Sequence, residues 1–118
     1  MTTSSTPGDG HCLKMYTEQD DGAALALAPG AAFQIRLPEN PMAGYRWFLG
    51  EWDRTILELT HDQFHPPGAA GYGAGGEHQW VFAARAPGRT SVQLIYRRRW
   101  EADTPARTFT LRISVSTP

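Results

Sequence analysis

Few residues in this chain are of a type and spacing that could make or break bonds. His61 and His65 stand four apart beside Asp62. On a strand that spacing puts both imidazoles on one face, but far apart along it, since each residue advances by about 3.3 Å. Without a third ligand the pair is weak support for a metal, so no metal or other cofactor is expected. No Ser/His/Asp or Cys/His grouping is apparent, Cys12 belongs to the N-terminal region, and no carboxylates pair at catalytic spacing. An enzyme working through His61 or His78 would need such a grouping. The chain reads as a binder, not an enzyme.

Recognition chemistry, by contrast, is concentrated in three segments. In Asn40-Pro41-Met42-Ala43-Gly44, proline fixes its own φ and biases Asn40 towards extended backbone, while Gly44 permits a positive φ for entry into the next strand. Met42 and Ala43 would sit exposed on a stiff tip, whose ordering cost is met before any partner arrives. A plain turn with an exposed Met is the alternative. The second segment, Gly73-Ala74-Gly75-Gly76, lies in a glycine-rich stretch from Pro66 to Glu77 that is nearly without polar side chains. Such a stretch is a floppy linker, or a place where a partner approaches the backbone and pairs with its N–H and C=O groups. A phosphate-binding loop is excluded, because the stretch leads into a strand and lacks the Lys-Ser/Thr pair. The third segment, Arg98-Arg99-Trp100, follows Arg97 and precedes Glu101. Arg and Trp are the residues most enriched at binding hot spots. The alternative packs Trp100 on the rim of the domain and leaves the arginines solvated.

These segments must be positioned by strands. Phe33, Ile35 and Leu37 alternate with Gln34 and Arg36, and Tyr45, Trp47 and Leu49 form the next inward row, with Arg46 on the other face. Leu57 and Leu59 share a side, as do Trp80 and Phe82. Val92, Leu94 and Tyr96 alternate with Gln93 and Ile95; Phe109, Leu111, Ile113 and Val115 alternate with Thr110, Arg112 and Ser114. This period of two predicts strands over 31–38, 45–52, 56–64, 78–85, 90–97 and 107–116. Cys12 to Thr17 could form a further strand, and Leu25 and Leu27 a short piece before Pro29-Gly30. The only candidate helix is the Ala-rich stretch from Asp21 to Ala28. If each strand crosses the domain once and reverses, the three segments all emerge at one end, and the turns 50–55 and 86–89 at the other. Three unlike loops on one edge of a rigid scaffold are the layout of a recognition surface.

The chain's 118 residues suit one domain. Its 12 glycines and 9 prolines favour many turns and an all-β architecture: an immunoglobulin-like β-sandwich of about seven to eight strands. Residues 1–10 read as a flexible polar tail and 11–118 as a single immunoglobulin-like domain. A formal net charge of −1 offers no field for nucleic acid or anionic lipid, and no run is long and apolar enough to span a membrane. One cysteine excludes an internal disulfide. No signal peptide is visible, which leaves a cytoplasmic location or, if a leader has been removed, a periplasmic or secreted one.

Together the three segments resemble the chagasin-type inhibitors of papain-like cysteine peptidases. That family carries an Asn-Pro-Thr-Thr-Gly-Tyr-x-Trp loop, a Gly-x-Gly-Gly loop and an Arg-Pro-Trp loop in this order. Here they correspond to Asn40-Pro41-Met42-Ala43-Gly44-Tyr45-Arg46-Trp47, Gly73-Ala74-Gly75-Gly76 and Arg98-Arg99-Trp100, over roughly residues 30 to 117. The resemblance implies a monomeric, reversible inhibitor whose three loops plug a peptidase's active-site cleft. The first loop would approach the catalytic cysteine, the glycine loop would run along the substrate groove, and Arg98 and Trp100 would hold the flank. Two departures stand out. Met42-Ala43 replaces the Thr-Thr pair, removing two hydroxyls and adding an adaptable apolar side chain. Arg99 replaces the third loop's proline, loosening that loop and adding charge. The rival reading keeps the sandwich as a protein-interaction module without peptidase inhibition.

Overall fold

Alternating apolar residues in eight short runs build two four-stranded sheets. The protein is described by a computed structural model over residues 13–40, 44–66, 76–100 and 105–117. Its strands are β1 (Lys14–Tyr16), β2 (Ala24–Leu27), β3 (Ala32–Pro38), β4 (Tyr45–Leu49), β5 (Leu57–His65), β6 (Glu77–Ala84), β7 (Gly88–Arg98) and β8 (Arg107–Val115). One sheet has the order β1-β3-β6-β5 and the other β2-β8-β7-β4. β1 runs parallel to β3 and β2 parallel to β8; the remaining neighbours are antiparallel. The architecture is the expected all-β, immunoglobulin-like sandwich.

The core between the sheets consists of the inward rows expected from alternation. Phe33, Ile35 and Leu37 of β3 face Trp80 and Phe82 of β6 and Leu57 of β5, and these pack against Val92 and Leu94 of β7 and Phe109, Leu111 and Ile113 of β8. Phe33 and Phe82 stack with centroids 5.5 Å apart. A side chain of this size contributes about 1.5–3 kcal/mol by leaving water, so the two rows act as one cooperative slab behind the loops.

The stretch expected as the candidate helix is not helical. Glu18–Asp20 makes one 3-10 turn, and Ala24–Leu27 is strand β2. The physical reason is tertiary. Leu25 is buried in the core, and the backbone of β2 pairs with Arg112–Val115 of β8. Four residues of ladder on a deep sheet outweigh the weak helix propensity of a short alanine run.

At one end, Gly50 to Thr55 meets the turn before β7. The Asp53 amide donates to Thr90 Oγ1 at 2.9 Å, and the Arg85 amide donates to the Ile56 carbonyl at 2.7 Å. Gly88 has φ of +145°, and a Cβ there would stand 2.6 Å from Ile56 Cδ1. Ile56 is buried, so it has little room to yield. Gly88→Ala is therefore expected to cost about 1–3 kcal/mol, read as a lowered midpoint in urea or thermal unfolding.

Candidate functional site: three loops on one edge

The other end carries all three recognition segments, and the connectivity arranges them. The first loop, between β3 and β4, crosses from one sheet to the other. The glycine loop closes the β5–β6 hairpin of the first sheet, and the third loop closes the β7–β8 hairpin of the second. The strand ends flanking one crossover connection and two hairpin connections thus share this edge. The registers Pro38↔Glu77, His65↔Glu77, Tyr45↔Arg98 and Tyr96↔Arg107 line up the strand ends behind them.

Of the twelve residues expected at the binding surface, Asn40, Gly44, Gly76, Arg98, Arg99 and Trp100 are described; Pro41, Met42, Ala43, Gly73, Ala74 and Gly75 lie outside the described residues. Those described converge. The Glu39 amide donates to the Gly76 carbonyl at 3.3 Å, joining the first loop to the glycine loop. Gly44, at φ +84°, lies under Trp100: a Cβ on it would be 3.5 Å from the indole. That contact joins the first loop to the third. Gly76, at φ +85°, is hemmed by the Phe64 ring and the His65 carbonyl, 3.0 and 3.2 Å from where a Cβ would be. Both glycines are needed for their backbone conformation.

A polar network that the sequence reading missed holds the bases of the loops. Glu39 is 2% exposed. One of its carboxylate oxygens accepts from the Trp47 amide at 2.7 Å, and the other faces His78 Nδ1 at 2.9 Å. The second ring nitrogen of His78 faces Asp62 Oδ1 at 2.5 Å. The imidazole also stacks on Trp80, with centroids 4.3 Å apart and planes 10° from parallel. Trp47 returns a hydrogen bond from its indole N–H to the Pro38 carbonyl at 2.8 Å. The network therefore ties both feet of the first loop to both strands of the glycine hairpin.

Asp62 reaches His78 because β5 is bulged. The register shifts between Leu59 and His61, so Leu59 opposes Phe82 but Asp62 opposes Trp80. Cross-strand partners share a face, and the extra residue turns Asp62 and Phe64, rather than His61, towards the inward row. His65 Nε2 is 2.9 Å from Gln79 Oε1, and among the described residues no three of His, Cys, Asp and Glu gather to hold a metal ion.

The third loop is braced by aromatic stacking. Tyr96 stacks on Tyr45 and tilts against Trp47, with centroids 5.4 and 4.7 Å apart, and its hydroxyl accepts from the Asn40 amide at 3.1 Å. The guanidinium of Arg98 lies 4.8 Å from the Tyr45 ring centre. Arg97 donates to the carbonyls of Arg98 and Arg99, both at 3.1 Å. Trp100 is left 73% exposed. An exposed indole on a braced loop, beside cations and glycine backbone, is suited to burial against a concave protein surface.

Comparison with known proteins agrees with this geometry. The profile described as Chagasin family peptidase inhibitor I42 matches residues 26–115. Amoebiasin-1 of Entamoeba histolytica is 32% identical over 101 residues, covering 84% of this chain and 96% of the relative. The crystal structure of the cysteine protease inhibitor EhICP2 from Entamoeba histolytica superposes with a TM-score of 0.76 at 24% identity, covering 87% of this chain and 94% of that one. PbICP-C, solved in complex with falcipain-2, gives a TM-score of 0.63 at 16% identity, covering 87% and 92%.

The network also has a pH sense. Both ring nitrogens of His78 face carboxylate oxygens, and only the imidazolium carries two N–H donors. Burial pushes the imidazole pKa down, but the hydrogen bonds to Glu39 and Asp62, with their charges, outweigh it and raise the pKa above the ordinary 6.5. A pKa raised on folding means that the contribution is complete below about 6.5 and is lost as pH climbs through the folded value. The stability difference between the wild type and His78→Gln is thus expected to be largest on the acid side of that window and to shrink above it, measured by urea unfolding at stepped pH. Glu39→Ala, which leaves the imidazolium and the Trp47 amide without their partner, is expected to cost about 3 kcal/mol.

Proposed function

The chain belongs to the chagasin family of peptidase inhibitors, and from that premise we propose that it inhibits papain-like cysteine peptidases reversibly, by filling the active-site cleft with its three loops. The observation that carries the reading is the convergence of the described loop ends on one edge, with Gly44 under Trp100 and Glu39 bonded to Gly76. The first loop, with Met42 and Ala43 at its tip, takes the central position over the catalytic cysteine. The glycine loop, Gly73 to Gly76, lies along the substrate groove, where the absence of side chains allows close backbone approach. Arg98, Arg99 and Trp100 grip the flank. The similarly folded PbICP-C was solved bound to falcipain-2, in line with a peptidase partner.

Inhibition by this route needs no chemistry from the inhibitor. The loops exclude substrate and offer no peptide carbonyl in the near-attack position that the peptidase's cysteine requires. Affinity comes from apolar burial at Trp100 and Met42 and from backbone contacts along the glycines. Little ordering cost is left for the moment of binding, because the feet of the loops are already fixed.

The test is titration of papain and of a cathepsin L-type enzyme with a fluorogenic peptide substrate. The wild type is expected to inhibit tightly and reversibly. Trp100→Ala should raise the inhibition constant by about 30-fold, roughly 2 kcal/mol, as loss of a hot-spot aromatic does, with unchanged thermal stability because the indole is exposed. Gly75→Glu should weaken inhibition too. No inhibition at micromolar concentration by a folded protein would instead favour an interaction module of another kind.

A further inference from the structure

A second recognition feature lies beside the loops, on the outer face of the sheet containing β4. Arg46 and Arg97 stand directly opposite in the β4–β7 register, so they share that face. Like charges placed so destabilise a strand pair. Arg97 is accounted for: its guanidinium lies 4.0 Å over the Phe48 ring and binds the third-loop carbonyls. Arg46 and Arg99 are exposed, and among the described residues neither has a carboxylate partner. With Gly44, Phe48 and Trp100 they line a notch of about 440 Å³. Two aromatic side chains and two arginines are thus among its lining residues.

We propose that this notch takes a carboxylate side chain from the rim of the peptidase's cleft, so that Arg46 and Arg99 select peptidases with an acidic rim beside the point where Trp100 docks. The inference rests on the reading that the loops fill such a cleft, and adds to it the chemistry of the preferred partner. A guanidinium presents a planar fork of donors that matches a carboxylate. An arriving carboxylate also relieves the repulsion between Arg46 and Arg97, a gain that no neutral partner offers. The formal net charge of the chain is −1, so the attraction is local, and its effect falls mainly on the association rate.

The experiment measures association and dissociation rates of wild type, Arg46→Ala and Arg46→Glu with papain and a cathepsin L-type enzyme, at low salt and at about 1 M salt, where the screening length is about 3 Å. The rim carboxylates of each peptidase are also replaced one at a time by amides. Arg46→Glu is expected to slow association about tenfold at low salt and Arg46→Ala about threefold, with both gaps closing at high salt. One amide replacement in the peptidase should cause a similar loss and abolish the difference between wild type and Arg46→Ala. Thermal unfolding should find both variants at least as stable as wild type. Equal association of wild type and Arg46→Glu at low salt, with every peptidase that the wild type inhibits, would overturn the proposal and mean that the charge is answered within the chain. Failure of the wild type to inhibit any peptidase would overturn the underlying reading as well, and the two failures are told apart by the wild-type titration alone.

Discussion

The buried carboxylate of Glu39 is the point on which the working edge depends. It lies between a backbone amide of β4 and an imidazole, nearly out of water. A charge there is tolerable only because each oxygen has a donor. Meeting that condition dictates much around it. Trp47, the middle residue of β4, must turn its amide back to the first loop, and His78 must face inward just after the glycine loop. Asp62 must be swung round by the bulge in β5 to hold the far nitrogen. The network brings together residues from β3, β4, β5 and β6, which belong to two different sheets. It couples those sheets at the loop end by polar contacts, while the core couples them behind by apolar burial.

That division of labour explains how three structurally unlike loops act as one surface. A crossover loop on its own would have only the stiffness of Pro41, and a glycine hairpin tip would have almost none. Their feet are instead pinned by Glu39, Gly76 and Tyr96. The indole of Trp100 lies over Gly44, whose φ of +84° is the conformation that calls for glycine there. The exposed indole of the third loop thereby stands next to the first loop. Arg46 and Arg99 then border the same indole from the outer face, so one aromatic residue is shared by the cleft-filling loops and the cationic notch.

Most of the scaffold was legible in the sequence, because period-two alternation is a direct consequence of one buried face. Strands β3 to β8 fall nearly where the alternation of Phe33-Ile35-Leu37, Trp80-Phe82 and Phe109-Leu111-Ile113 puts them. Parity was enough to gather the three loops at one end. Pairing partners were not legible: nothing in Ala24–Leu27 says that it lies parallel to β8, since alternation reports a buried face and not a neighbour. The bulge in β5 was invisible for the same reason, and with it the reach of Asp62. Nothing in the sequence around Glu39, which precedes Asn40-Pro41, marks it as buried. A signal for it did exist. His78 shares the parity of Trp80 and Phe82, so the row that predicted their burial also placed an imidazole inside, which called for a nearby acidic partner.

The most direct test of the account is hydrogen exchange of the protein alone and in complex with papain. If the three loops act as one surface, binding should slow exchange together in residues 39–46, 72–78 and 97–101, and leave 50–56 and 85–89 at the opposite end unchanged. Protection confined to a single loop, or appearing at the opposite end, would contradict it.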